Sequence, residues 1–196
     1  MTTISQTPNY SLTLIPTTPG GAVAQRVVHL RYPEAPKEQL ASLDVHGNHK
    51  LMPEAAASFK AMQQAAKRDG VFLEPVSAFR NLEHQKDVFF TEAKHQGVSL
   101  AERSKVAAPP GYSEHGTGYV VDIMDSTSPD TARLDICFEQ TPAYSWLKQQ
   151  ANRFGFELSF PQGNWQGINY EPWHWRYVGS PQSQQVFQRA RFRQLA

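Results

Sequence analysis

Ser113-Glu114-His115-Gly116-Thr117-Gly118-Tyr119-Val120-Val121-Asp122-Ile123 decides how this chain is read: a polar loop bearing two glycines runs straight into a β-prone apolar stretch. Side chains alternate along a strand, so Val120, Asp122 and Met124 share one face and Val121 and Ile123 the other. Asp122 therefore arrives among apolar neighbours, where a carboxylate needs a partner. Gly116 and Gly118 let the loop turn tightly, so that His115 can face the same point as Asp122. Taken singly, such a histidine or aspartate is as readily a buried hydrogen-bonding residue or a turn cap as a ligand.

Further along, Glu171-Pro172-Trp173-His174 supplies a second imidazole and another carboxylate. Two histidines and one aspartate suit Zn²⁺, and three protein ligands leave a fourth position open, as in catalytic rather than structural zinc sites. A glutamate three residues from a ligand can reach the attacking water and take its proton. On a flat strand Glu171 and His174 would point to opposite faces, so the spacing predicts a bend at Pro172. The alternative for Glu171 is a surface carboxylate paired with Arg176 or Arg80. Upstream, Ser77-Ala78-Phe79-Arg80 ends a strand just before a helix. A forked, permanent cation at that junction can hold a substrate carboxylate or a developing oxyanion, or simply pair with Glu83 at helical spacing.

Around these motifs the periodicity alternates between helix and strand. Ala55, Phe59, Met62 and Ala66 recur at helical spacing between Pro53 and Asp69, and Ala143, Trp146, Leu147, Ala151 and Phe154 do so after the Thr141-Pro142 start. Asn81 is an N-cap for a helix that Gly97 closes, and Ser180-Pro181 opens a C-terminal helix ending in Arg189, Arg191 and Arg193. Short strands are expected at 71–79, 119–123, 156–160 and 173–178. Without a regular βαβ rhythm this is an α+β fold, a compact single domain with a small central antiparallel sheet flanked by helices. Residues 1–36, rich in Pro, Thr and Gly, read as an N-terminal arm with one edge strand near 22–28, and 37–196 as the domain.

Composition narrows the partners. The 196 residues are 40% hydrophobic, enough for a sizeable core, and 19 basic against 18 acidic side chains leave a formal charge of +1, so no nucleic-acid partner is expected. The lone Cys137 cannot make an internal disulfide. The N-terminus has no signal-peptide pattern, and no run reaches the ~18 apolar residues of a membrane span. The chain as given is expected to lack an integral membrane segment, cytoplasmic if full length and in the cell envelope if a signal was trimmed. Ser145-Trp146-Leu147-Lys148 matches S-x-x-K but falls inside a helix with no K-T-G or S-D-N, and His29, His46, His49, His84 and His95 read as solvated loop or surface residues.

Ser77–Arg80 with Gln85, Ser113–Asp122, and Glu171–Arg176 together resemble the three signatures of the zinc D-Ala-releasing carboxypeptidases of peptidoglycan, the VanY-type D,D- and LdcB-type L,D-enzymes. The resemblance spans roughly residues 50–180. It implies a zinc DD-peptidase or Hedgehog-like fold and one Zn²⁺ held by His115, Asp122 and His174. It also implies Glu171 as general base and Arg80 at the oxyanion or the peptide terminus. Gln85 and Ser113 are implied as contacts to the terminal carboxylate. Apart from the resemblance, Trp173, Trp175 and Tyr177 alternate with His174 and Arg176 as in a half-buried strand, and an exposed Trp173 at a site mouth can touch glycan or peptide. Implied partners are peptidoglycan stem peptides or muropeptides, with the tetrapeptide, L,D choice favoured by Ala-Pro-Pro-Gly-Tyr-Ser-Glu-His. L-Ala-D-Glu endopeptidases and D-Ala-D-Ala dipeptidases share the zinc set, and a zinc-stabilised wall-peptide-binding module is the non-catalytic alternative.

Overall fold

The computed structural model describes residues 27–192 and the backbone of the short strand Leu12–Leu14. In chain order the strands and α-helices are β1 (Leu12–Leu14), β2 (Val27–His29), β3 (Ala41–Ser42), β4 (Lys50–Leu51), α1 (Pro53–Arg68), β5 (Leu73–Ser77), α2 (Leu82–Lys86), α3 (Glu92–Gln96), α4 (Leu100–Arg103), β6 (Val120–Asp125), α5 (Pro142–Gln150), β7 (Phe156–Leu158), β8 (His174–Tyr177) and α6 (Pro181–Phe192). Between α2 and α3 the chain winds as a π-helical segment, Asp87–Thr91. The central sheet is four-stranded and antiparallel in the order β5-β6-β8-β7, with the pairs β1-β2 and β3-β4 beside it.

The core follows from the predicted periodicities. Ala55, Phe59, Met62 and Ala66 form the buried stripe of α1, and Phe59 meets Phe156 of β7 edge-on at 6.1 Å. α5 begins where Thr141 accepts the Tyr144 amide and buries Ala143, Trp146 and Leu147. Its last predicted turn tightens into the 3₁₀ segment Ala151–Phe154, which stops at Gly155. Ser145 of the S-x-x-K match lies exposed within α5, on the side away from the core.

Two expectations change. The arm's inner part is built into the domain. Val27, Leu30 and Tyr32 are buried, Val28 exchanges hydrogen bonds with Gln166, and the Tyr32 and Ala35 amides donate to Gly111 and Gly116. Pro/Thr/Gly composition reported the outer stretch and hid these anchors; the expected strand residues 22–26 lie outside the described residues. His29 is likewise no solvated residue: it is 2% exposed, and burial pushes its imidazole down to about 4, so it stays neutral. His46, by contrast, is exposed, and His49 is held between Asp44 and the Val76 carbonyl.

Candidate metal centre and active site

The ladder between β6 and β8 pairs Asp122 directly with His174. Cross-strand partners project to the same side of a sheet, so these two arrive adjacent by register alone. His115 comes from the 3₁₀ turn Glu114–Thr117 just ahead of β6, and its own amide donates to the capping Ser113 Oγ at 3.3 Å. Gly118 closes that turn at φ +70°, where an added Cβ would stand 2.9 Å from Leu40 Cδ2 and 3.2 Å from Met52 Cγ. Only glycine fits there, and that fixes where His115 sits relative to the strand.

Each imidazole is turned by one hydrogen bond. His115 Nδ1 lies 2.7 Å from the Ala78 carbonyl, which can only accept, so Nδ1 carries the proton and Nε2 faces Asp122 Oδ2 at 3.2 Å. His174 does the reverse: Nε2 donates to Glu114 Oε2 at 3.1 Å, and Nδ1 stands 3.1 Å from Asp122 Oδ1 and 3.6 Å from Glu171 Oε2. The two rings are perpendicular, 4.9 Å between centroids. One ligand atom each from His115, Asp122 and His174 lies within 4.8 Å of the others, all three residues being buried.

This set fits a zinc ion on two counts. Asp122 Oδ1 has no hydrogen-bond partner among the described residues even though His174 Nδ1 is 3.1 Å away, because that approach lies outside hydrogen-bonding geometry. Two imidazole nitrogens and a carboxylate are also the donor types zinc takes. The surroundings, moreover, demand positive charge. Burial alone would lower the His174 imidazole, but the Asp122 and Glu114 carboxylates beside it outweigh that and push it up to about 10. Burial likewise opposes the Asp122 charge, yet the two histidines hold it well below the usual carboxylate range. His115 goes the other way, lowered chiefly by burial and so kept in the neutral form that binds metals.

Glu171 reaches the cluster through the predicted bend. Pro172 and Trp173 form a turn closed by His174 N donating to the Glu171 carbonyl at 3.1 Å, and β8 starts only at His174. Burial pushes the Glu171 carboxyl up to about 8; His174 and Arg80 pull it down, while Asp122 and Glu114 add to the rise. Arg176 is not its partner: that guanidinium, 1% exposed, is paired with Glu114 and Glu157. Nor does Arg80 pair with Glu83, which bonds Lys86 at 2.8 Å. Among the described residues the Arg80 side chain has no hydrogen-bond or ion-pair partner, and its buried Nε is unsatisfied.

A cavity of about 690 Å³ is lined by all eight residues that the motifs single out: Arg80, Gln85, Ser113, His115, Asp122, Glu171, Trp173 and His174. One of them is turned otherwise than expected. Gln85 Nε2 donates to the Ala108 carbonyl at 2.7 Å, which leaves the buried Oε1, an acceptor, as its free atom. A carboxylate needs a donor, whereas the atom left free here is an acceptor, suited to a substrate N–H.

Sequence reasoning missed the group that orients His174. Glu114 accepts from Tyr32 Oη (3.2 Å) and Arg176 Nη1 (3.1 Å) on Oε1, and from Ser159 Oγ (2.6 Å) and His174 Nε2 (3.1 Å) on Oε2. Burial opposes its charge, but Arg176, His174 and Ser159 prevail and hold the carboxyl at about 2. The available signal was the period-two placement of Arg176 on the same strand face as His174, which needs a buried anion nearby.

The VanY family of D-alanyl-D-alanine carboxypeptidases matches residues 48–180. The chain is 37% identical over 132 residues to YodJ of Bacillus subtilis, covering 66% of this chain and 46% of YodJ, so it spans about half that protein's length. It is 31% identical over 157 residues to the bifunctional D-Ala-D-Ala dipeptidase and D-Ala-D-Ala carboxypeptidase VanXYC of Enterococcus gallinarum, covering 78% of this chain and 80% of the other. Among solved structures, the LdcB LD-carboxypeptidase aligns with a TM-score of 0.61 at 28% identity, over 93% of this chain and 76% of that one. The Zn(II) complex of the vancomycin-resistance D,D-pentapeptidase VanY aligns with 0.59 at 25%, over 81% and 92%. With fold, motif order and family match in agreement, the chain belongs to the VanY D-alanyl-D-alanine carboxypeptidase family.

Proposed function

We propose that this protein is a zinc-dependent carboxypeptidase that removes the C-terminal D-alanine from peptidoglycan stem peptides, acting on the tetrapeptide stem as an L,D-carboxypeptidase. One observation carries the reading: His115 Nε2, Asp122 and His174 Nδ1 converge at the floor of a single cavity with Glu171 beside them. A binding module would need no buried carboxylate of raised pKa at that place. The likeness to LdcB over 93% of the chain supports the L,D choice.

One zinc ion held by His115, Asp122 and His174 would supply Lewis acidity toward the scissile carbonyl and acidify a water. Glu171 takes the proton of the attacking water and returns it to the departing D-alanine amine. A carboxyl poised near neutrality is matched to moving a proton both ways. Arg80, unpaired and buried next to Asp122 and Glu171, offers its charge to the negative charge that gathers on the peptide during attack. Glu114 and the Ala78 carbonyl keep the two imidazoles turned with the correct nitrogens inward. Trp173 borders the cavity and confines the peptide laterally.

The test is mass spectrometry of the zinc-loaded protein with tetrapeptide and pentapeptide muropeptides, with Glu171→Gln and chelator controls. Loss of one alanine from the tetrapeptide only, abolished by both controls, is the expected result. Trimming of the pentapeptide only makes the enzyme a D,D-carboxypeptidase, and no trimming of either with zinc bound refutes the carboxypeptidase reading.

A further inference from the structure

Two further cations line the cavity and are left unused by the reaction above: Arg133, which is exposed and 3.7 Å from Asp130, and Arg103. Arg103, the last residue of α4, lines the same space as Arg80, the metal cluster and Glu171. It is held in place from behind: Nε and Nη2 both donate to the Val88 carbonyl, at 3.1 and 2.6 Å. Val88 belongs to the π-helical segment Asp87–Thr91, a local irregularity of the kind helices keep at functional sites. With two nitrogens taken by one carbonyl, the guanidinium plane is fixed, and Nη1 has no acceptor among the described residues.

Neither Arg103 nor Arg80 has a carboxylate within 4.0 Å among the described residues. The contrast with Arg176 is informative, since that guanidinium is closed off by Glu114 and Glu157 at 3.1 and 2.8 Å. Of the carboxylates that share the cavity, the three buried ones are engaged elsewhere, and the fourth, Asp135, is exposed at its edge and not within 4.0 Å of either Arg103 or Arg80. Glu114 is bonded by four donors, and Asp122 and Glu171 sit at the histidines. Arg103 is also close enough to Arg80 for its charge to disfavour the second cation. Two like charges are brought together in a partly enclosed space, one of them pinned by the backbone; Asp122 and Glu171 offset the charge on Arg80, whereas Arg103 has no carboxylate at ion-pair distance among the described residues.

We propose that Arg103 and Arg80 together seat the free C-terminal carboxylate of the peptide, and that Arg103 is the residue by which this protein distinguishes a chain end from an interior peptide bond. The proposal rests on the carboxypeptidase reading and adds to it a specificity-determining residue outside the three motifs. A guanidinium fixed in its plane presents parallel N–H donors to a carboxylate, and a neutral terminal amide offers it neither the charge nor the second acceptor oxygen.

Two measurements test it, one dependent on turnover and one not. In the zinc-loaded enzyme, kcat and KM are determined for a D-alanine-terminated tetrapeptide and for the same peptide with a C-terminal carboxamide, in wild type, Arg103→Ala and Arg103→Lys. Wild type should prefer the acid strongly. Arg103→Ala should raise KM for the acid by about 10- to 100-fold, with the loss falling on KM rather than kcat, and should collapse the acid-to-amide preference. Arg103→Lys should recover part of both. Separately, calorimetric binding of the two peptides to zinc-loaded Glu171→Gln protein, with and without Arg103→Ala, reads the same preference without hydrolysis. If wild type cleaves neither peptide, the hydrolytic reading fails while binding still decides the carboxylate site. If Arg103→Ala weakens acid and amide equally, or leaves the acid's KM and affinity unchanged, Arg103 does not hold the terminal carboxylate and the inference is overturned.

Discussion

Replacing Glu114 by glutamine tests how the metal centre is held without removing any ligand. All four partners of Glu114 approach as donors: Tyr32 Oη and Arg176 Nη1 at one oxygen, Ser159 Oγ and His174 Nε2 at the other. A glutamine has one accepting oxygen and one NH₂, so two of the four donors must meet a donor. Arg176 cannot accept, which forces the amide oxygen toward it and turns the NH₂ to Ser159 and His174. The serine hydroxyl can rotate to accept. His174 can accept at Nε2 only by moving its proton to Nδ1, the nitrogen that faces Asp122 at 3.1 Å. A protonated Nδ1 does not bind zinc, so the variant must pay for the other tautomer before it can load metal. Loss of such an outer hydrogen bond costs roughly 10- to 100-fold in metal affinity, or about 1.4 to 2.7 kcal/mol. The assay is competition for zinc against a chelator of known affinity, on protein shown by circular dichroism to be folded. Glu114→Gln that binds zinc within twofold of wild type would falsify the assignment of Glu114 as the group that sets the His174 tautomer.

Other perturbations address the remaining parts. Zinc added to chelator-treated protein should raise the thermal midpoint, by as much as ~4 kcal/mol of stabilisation at a thousandfold excess over Kd. Asp122→Asn should abolish that rise, and an equal zinc-dependent shift in both proteins would show that the metal binds elsewhere. Gly118→Ala places a Cβ 2.9 Å from Leu40 Cδ2 at φ +70° and should lower unfolding free energy by about 2–3 kcal/mol in urea titrations; an unchanged midpoint would contradict the packing described. His29, 2% exposed and held near 4, takes up its proton more readily unfolded than folded. Stability from this group is therefore complete above the unfolded pKa of about 6.5 and falls as pH drops toward 4, by up to roughly 3 kcal/mol. His29→Gln should flatten that slope relative to wild type between pH 6.5 and 4, and parallel pH curves for the two proteins would sink the idea.

What could be read from the sequence and what could not divides along a physical line. Helix α1 and its buried stripe were legible because Ala55, Phe59, Met62 and Ala66 repeat at the helical period, with Pro53 at the start and Gly70 just past the end. The convergence of His115, Asp122, His174 and Glu171 was legible because their spacings make sense only if a loop, a strand and a bend converge, and the bend at Pro172 is present. The anchoring of residues 27–35 was hidden, because it rests on backbone bonds from Val28, Tyr32 and Ala35 to distant loops that leave no trace in composition. The same holds for Glu114 and Gln85. Which of its neighbours a buried carboxylate or amide touches depends on side chains 45 to 82 positions away for Glu114 and on the Ala108 carbonyl for Gln85. Arg103 was silent for a different reason: an arginine at the end of a short helix is usually a dipole partner or a solvated cation, and only the fork onto Val88 marks it as placed.

The architecture separates two demands that pull against each other. Metal ligation tolerates little displacement, and the residues proposed for it sit where displacement is smallest: Asp122 and His174 face one another within an antiparallel ladder, and His115 is locked by Gly118 and the Ala78 carbonyl. Recognition has to vary with the peptide, and the residues proposed for it come from segments outside the sheet. Arg80 and Gln85 flank the start of α2, Arg103 ends α4, Ser113 precedes a 3₁₀ turn, and Trp173 lies in the bend before β8. A change of substrate can therefore be reached by altering those walls with the His-Asp-His set and Glu171 untouched. The role proposed for Arg103 shows the form such a change would take: a cation on a short helix, steadied by one irregular carbonyl, would set which end of a peptide enters while the sheet holds the His-Asp-His set in place.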